Sequence, residues 1–193
     1  REKEKFIRYK HETGDVSSLS DNFVQSIYQD NYGVVWIGTR IGLNKMIIPD
    51  KEELKIDKNT NVEERLKREK VEYFVTFRHD SLKPNSLINN DVSAFCEDEE
   101  GNLWMGTDGG ISILTPENRN EMKFKNYQPI PGDSTSLSND NIWDIFQDEQ
   151  GYIWIGTENG LNRYNKLTNT FTHFFHNPDD PYSINHNIVE RIY

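Results

Sequence analysis

The chain writes one stretch three times, and this constrains its fold more than anything else in it. Val35-Trp36-Ile37-Gly38-Thr39 returns as Leu103-Trp104-Met105-Gly106-Thr107 and as Ile153-Trp154-Ile155-Gly156-Thr157. An Asp-x-x-Gly turn signal precedes each copy, at Asp30 to Gly33, Asp98 to Gly101 and Asp148 to Gly151. A second glycine and an apolar residue follow, at Gly42-Leu43, Gly110-Ile111 and Gly160-Leu161. Upstream lies another mark, Ser17-Ser18-Leu19-Ser20, which recurs around Leu87, Leu137 and Ile184. From this mark to the tryptophan is 17 residues in every complete copy (19 to 36, 87 to 104, 137 to 154), while the marks themselves stand 68, 50 and 47 residues apart. A fixed half joined to a variable half describes a structural unit that accepts loop insertions.

Each unit reads as four short strands rich in β-branched and aromatic residues. The first strands are Val24 to Tyr28, Val92 to Cys96 and Ile142 to Phe146, and the second are Val34 to Thr39 and its copies. Third strands run from Gly42, Gly110 and Gly160, and fourth strands over Tyr73 to Arg78, Lys123 to Tyr127 and Phe171 to Phe175. Four antiparallel strands per 45 to 50 residues is the signature of a β-propeller blade. The expected fold is therefore all-β, a partial β-propeller of four-stranded antiparallel blades. Blades are expected at 21–79, 90–128 and 140–176, with a last strand of a preceding blade in 1–10 and a first strand of a following blade in 187–193. A leucine-rich or tetratricopeptide solenoid would have a shorter, partly helical repeat, and a β-sandwich would not repeat its own turn and tryptophan.

Three blades cannot close a ring, since propellers carry about four to eight. The chain, which starts without Met and in mid-pattern, reads either as an excised segment of a larger propeller or as a unit that self-associates, as a homodimer for instance, through exposed blade faces. Residues 49–72 form a charge-mixed insertion between the third and fourth strands of the first blade, expected as a solvated hairpin, with a short helix capped by Asn61 as the lesser reading. The glycines carry mechanical expectations. Gly33, Gly101 and Gly151 permit positive φ in a hairpin, and Gly38, Gly106 and Gly156 mark a close backbone approach inside a strand. Trp36, Trp104 and Trp154 are expected to fill the space between one blade and the next, because identical positions in every unit suit a frame better than a unique site.

The net charge of −10 argues against nucleic acid, which needs a basic face, and against an anionic membrane surface. A single cysteine, Cys96, offers neither a disulfide framework nor a thiolate metal site, and no apolar run approaches the roughly 18 residues of a membrane span.

The run Asp-x-x-Gly-x-x-Trp-Ile-Gly-Thr-x-x-Gly-Leu-Asn, at Asp30 to Asn44, Asp98 to Ser112 and Asp148 to Asn162, resembles the two-component regulator propeller repeat. The preceding Ser-Leu-Ser element at Ser18 to Val24 and Ser136 to Ile142 is similar too, with Ser86 to Val92 a looser copy. Met105 in place of Ile and Ser112 in place of Asn are the departures. The resemblance implies the periplasmic sensor half of a Bacteroides-type hybrid two-component protein, anchored in the inner membrane and followed by a histidine kinase, a receiver and a DNA-binding domain. It further implies sensing of oligosaccharides, a phosphorelay and transcriptional control of glycan utilisation. No catalytic part of such a protein lies in these residues.

No cofactor, metal or catalytic constellation is expected in this segment. His11, His79 and His176 each stand eight residues before the register mark, but packed sheets lie about 10 Å apart and zinc needs nitrogens near 2.1 Å, so a shared loop consensus explains them better. The carboxylates fall in turns, and no pair is marked as a glycosidase pair. A ligand site is expected instead on the rim that carries the second-to-third-strand turns and the blade-to-blade loops, where matching units differ. The candidate residues are Arg40, Asp108, Glu158, Asn159 and Tyr182. Two other readings stay open, a scaffold propeller that binds a protein and a propeller lyase or glycosidase.

Overall fold

A computed structural model describes residues 6–48 and 72–193. Among the described residues twelve strands form three four-stranded sheets, each an antiparallel meander in chain order. The first blade holds β1 (Val24–Gln29), β2 (Val35–Thr39), β3 (Gly42–Ile47) and β4 (Tyr73–Phe77). The second holds β5 (Val92–Glu97), β6 (Leu103–Thr107), β7 (Gly110–Leu114) and β8 (Lys125–Tyr127). The third holds β9 (Ile142–Gln147), β10 (Ile153–Thr157), β11 (Gly160–Asn165) and β12 (Thr170–Phe174). The all-β partial propeller holds. The helix considered from Asn61, like the rest of 49–71, lies outside the described residues.

First strands of neighbouring blades lie against one another along their backbones, whereas the fourth strands of the second and third blades meet through side chains, with Tyr127 edge-on to Phe171 at 5.4 Å. The blades thus converge at β1, β5 and β9 and splay outwards. Residues 6–9 and 189–193, anticipated as strands, form none, because no described residue gives either a ladder to join. The trailing segment nonetheless takes a first strand's place. Val189 crosses Gly156 as Val92 crosses Gly38, and its N–H donates to the Thr157 carbonyl at 3.0 Å.

The core lies between sheets rather than within one. Trp36 packs with Val92, Leu103, Met105, Leu114 and Phe124 of the second blade. One blade further on, Trp104 packs with Ile145, Ile153, Ile155, Tyr164 and Phe171 of the third, meeting Tyr164 edge-on at 5.1 Å. Trp154 has no blade beyond it and is only half-buried. Each sheet presents its tryptophan face forwards and its aliphatic face backwards, so the same interface is built twice. Aromatic burial on this scale dominates the energetics of such an interface.

Close approach explains the strand glycines. A Cβ on Gly38 would lie 2.3 Å from the Val92 carbonyl oxygen, and one on Gly106 would lie 2.7 Å from an Ile142 methyl. Gly38→Ala is expected to destabilise the chain by about 2–3 kcal/mol, since strand β5 must move to admit the methyl. Gly14→Ala, at φ +86° with open space around it, should cost only about 1 kcal/mol of backbone strain. Urea melts of the two variants should separate accordingly.

Candidate functional site

Three levels of hydrogen bonding position the rim. The innermost is a lock inside each hairpin. Asp30 closes its turn by accepting the N–H groups of Tyr32 and Val34 on Oδ1 at 3.0 and 2.9 Å, while Oδ2 accepts the Trp36 indole N–H at 2.8 Å. Asp98 does the same with Glu100, Asn102 and Trp104, and Asp148 with Gln150, Tyr152 and Trp154. One carboxylate per blade thus fixes both the turn and the rotamer of the large side chain that its neighbour packs against.

The second level ties blade to blade at the Asp-x-x-Gly turns. Glu97 at the end of β5 accepts the Asn31 N–H of the preceding turn at 2.7 Å, and Gln147 at the end of β9 accepts that of Glu99 at 2.9 Å. Arg119 adds a contact that the repeat pattern does not contain. It follows the short 3₁₀ turn Pro116–Asn118, pairs with Asp30 and with Glu97 at 2.8 Å, and donates to the Gly101 carbonyl at 3.0 Å. Both carboxylate side chains are fully buried in this pairing. Burial works to raise the Asp30 carboxyl, but the hydrogen bonds from Trp36, Val34 and Arg119 outweigh it and hold the group below the ordinary aspartate range.

The third level shapes the loops that lead into each first strand, at the opposite ends of the hairpins. Ser18, Ser86, Ser136 and Ser183 each accept, on the hydroxyl, a backbone N–H six residues earlier at 2.9 Å. The histidines belong to this clasp. His11, His79 and His176 place Nδ1 at 2.7–2.9 Å from the carbonyls of Leu19, Leu87 and Ile184, and their backbone N–H groups donate to Asn22, Asn90 and Asn187. In the remaining loop Pro129 has no N–H to give, Asp140 replaces the asparagine, and His173 of β12 serves the Ser136 carbonyl instead at 2.6 Å. Among the described residues no group of His, Cys, Asp or Glu is disposed to hold a metal ion. Burial pushes the Cys96 thiol up to about 11, which disfavours a thiolate.

On the rim itself, Thr39, Thr107 and Thr157 close the second-to-third-strand turns by donating to the carbonyls of Gly42, Gly110 and Gly160 at 2.8–2.9 Å. The candidate residues Arg40, Asp108, Glu158 and Asn159 occupy these turns. Arg40 is exposed and lies over the Phe23 ring at 3.8 Å. Asp108 and Glu158 come together with Asp91 and Asp140. Burial, then the charges of Asp91, Asp140 and Glu158, raise the Asp108 carboxyl above the ordinary range. Glu158 accepts from the Asn141 amide at 3.2 Å, and the Asn159 carbonyl accepts from Ser138 at 2.9 Å. Tyr182 stands apart. Its register equivalents Ser17, Asn85 and Thr135 give their carbonyls to the outer strand region at Phe74, Phe124 and Phe171, so it belongs to the periphery, where it is fully exposed.

A partial propeller with turn-locked blades and a variable polar rim is the class of protein this geometry defines. Residues 18–40, 86–109 and 136–159 match the family described as two component regulator propeller, so the chain carries three copies of that repeat. No curated protein matches the sequence. Among solved structures, the extracellular domain of a protein described as a hybrid two component system from B. thetaiotaomicron is similar. It is 20% identical at TM-score 0.65, over 92% of this chain and 20% of that one. PorZ, a surface component of the type-IX secretion system of Porphyromonas gingivalis, is 16% identical at TM-score 0.60, over 89% of this chain and 23% of that one. At such identities the likeness is one of fold, and the chain spans only about a fifth of the first of these structures.

Two predictions concern charge. Asp30→Asn should cost about 3 kcal/mol, because it leaves Arg119 with one counter-ion in a buried site and weakens the lock. A depressed carboxyl contributes stability above its ordinary value and loses it as pH falls through the folded one. The deficit should therefore shrink below about pH 4, which chemical denaturation at several pH values would show. Asp108→Asn should act oppositely, raising stability at pH 7 by a few tenths of a kcal/mol for so exposed a group. A raised carboxyl loses stability as pH climbs past its unfolded value, so this gain should vanish below about pH 4.

Proposed function

We propose that the chain is a blade segment of the extracytoplasmic sensor of a hybrid two-component protein, one that reads oligosaccharides. The observation that carries this reading is the way the repeat ends. All three family segments run through the locked hairpin and stop on the turn at Arg40, Gly109 or Asn159, where the residues differ from blade to blade. A constant frame that delivers variable polar side chains to one rim suits recognition, and neither a metal cluster nor a reactive thiol competes with it among the described residues. The parent protein would be held in the inner membrane, with a histidine kinase, phosphorelay and DNA-binding output lying outside these residues and with pairing of two sensors passing on the signal. No helix among the described residues is long and apolar enough to cross a membrane.

Titration calorimetry of the 193-residue chain and of its parent sensor against a panel of plant and host oligosaccharides tests the reading. Saturable heat with one glycan class is the expected result. Absence of heat with every glycan would favour a scaffold that binds protein, and steady release of reducing ends would point to an enzyme.

A further inference from the structure

Every first strand carries a β-bulge at the same place. The ladder skips Gln25 between Val24 and Ser26, Ser93 between Val92 and Ala94, and Trp143 between Ile142 and Asp144. A bulge leaves one residue out of the ladder and re-aims its side chain, and bulges gather beside functional sites. Here they lie on the strands where the blades converge, one residue or two from the loops that end on the rim.

In two blades the frame consumes the re-aimed residue. The Gln25 amide donates to the Asp91 carboxylate of the second blade, and the Ser93 hydroxyl donates to the Ile142 carbonyl of the third at 2.6 Å. In the third blade the position holds a tryptophan that does nothing of the kind. Among the described residues the Trp143 side chain has no hydrogen-bond or ring partner, belongs to none of the apolar clusters and is 40% exposed. The other three tryptophans, Trp36, Trp104 and Trp154 on the second strands, all spend their indole N–H on the turn lock. Leaving so large an apolar surface in water forgoes stabilisation that burial would supply.

The loop that leads into its strand carries polar groups. Asp140 and Asn141 stand three and two residues before it, the Asn141 amide donates to Glu158, and Asp108 feels Asp91, Asp140 and Glu158 together. An open aromatic ring on the strand that follows a loop of carboxylates and amides suits a sugar, whose C–H face stacks on the ring while its hydroxyls donate to the oxygens. The sign of the charge narrows the choice, because a uronate or sulfated sugar would meet four carboxylates.

We propose that Trp143 is the stacking platform of a saccharide site at the convergence of the blades, selective for neutral over acidic sugars. This rests on the reading of the chain as an oligosaccharide sensor, and the test separates the two. Calorimetry and intrinsic fluorescence would follow the 193-residue chain with neutral gluco-, manno- and xylo-oligosaccharides, and with oligogalacturonate and a sulfated heparin disaccharide. Binding of a neutral sugar should weaken about tenfold or more in Trp143→Ala, less in Trp143→Phe, and not at all in Tyr182→Ala, with the thermal transition unchanged in each. Equal affinity of Trp143→Ala and the parent chain would overturn the platform while leaving oligosaccharide sensing intact. Preference for the acidic sugars would overturn the selectivity, and the lack of binding to any saccharide would overturn both.

Discussion

A single buried carboxylate hydrogen-bonded to an indole sets the geometry of each blade. Without a partner the indole N–H of Trp36 would be an unsatisfied donor in the core, and without the turn N–H groups Asp30 would be a buried charge facing water-free space. Joined, they orient the ring that the next sheet packs against. Strand pairing inside a blade, packing between blades and the aim of the rim turns all depend on that joint, which is why its two residues keep a spacing of six in every copy while the loops around them vary.

The middle copy shows how closely the frame is fitted. In the outer blades Asn44 and Asn162 accept a backbone N–H from Ser20 and Ser138 and return a side-chain bond to the same serine hydroxyl. The second blade has Ile88 and Ser112 at these two places. Ser112 still accepts the Ile88 N–H at 2.9 Å, but its hydroxyl now donates to Asn126 of β8 at 2.8 Å. Two departures that look unrelated in the sequence are one exchange, and no buried group is left without a partner by it.

Much of the fold was legible because a propeller writes its period into its hairpins. Strand order, the positive φ at Gly33, Gly101 and Gly151, and the close approach at Gly38 follow from spacing and from what only glycine can do. What the sequence hid was anything that joins distant, unrepeated positions. Arg119 reaches Asp30 across 89 residues from a connection found in one blade only, and no local pattern announces such a pair. The bulges were hidden for another reason, since a skipped residue inside an apolar alternation looks like any other strand position, and Trp143 passed as one more aromatic in a first strand. The rim turns were legible as positions, whereas Tyr182 could be placed at the periphery only once the carbonyls of its register equivalents were seen to bond the outer strands.

The inter-blade interface has a direction, with an indole on one side and an aliphatic bed on the other. Both faces of the second sheet are covered, so every residue of β6 and β7 is buried, while β1 and β9 keep exposed positions along their length. A stack held only by contacts between neighbours behaves as a one-dimensional array, whose local opening free energies rise from the ends inwards. In these three blades taken by themselves the outer sheets should therefore fray first and exchange their amides fastest, with the central one surviving longest. A stimulus that merely covers an outer face would then be transmitted as a loss of fraying, without any change of shape in the blades themselves.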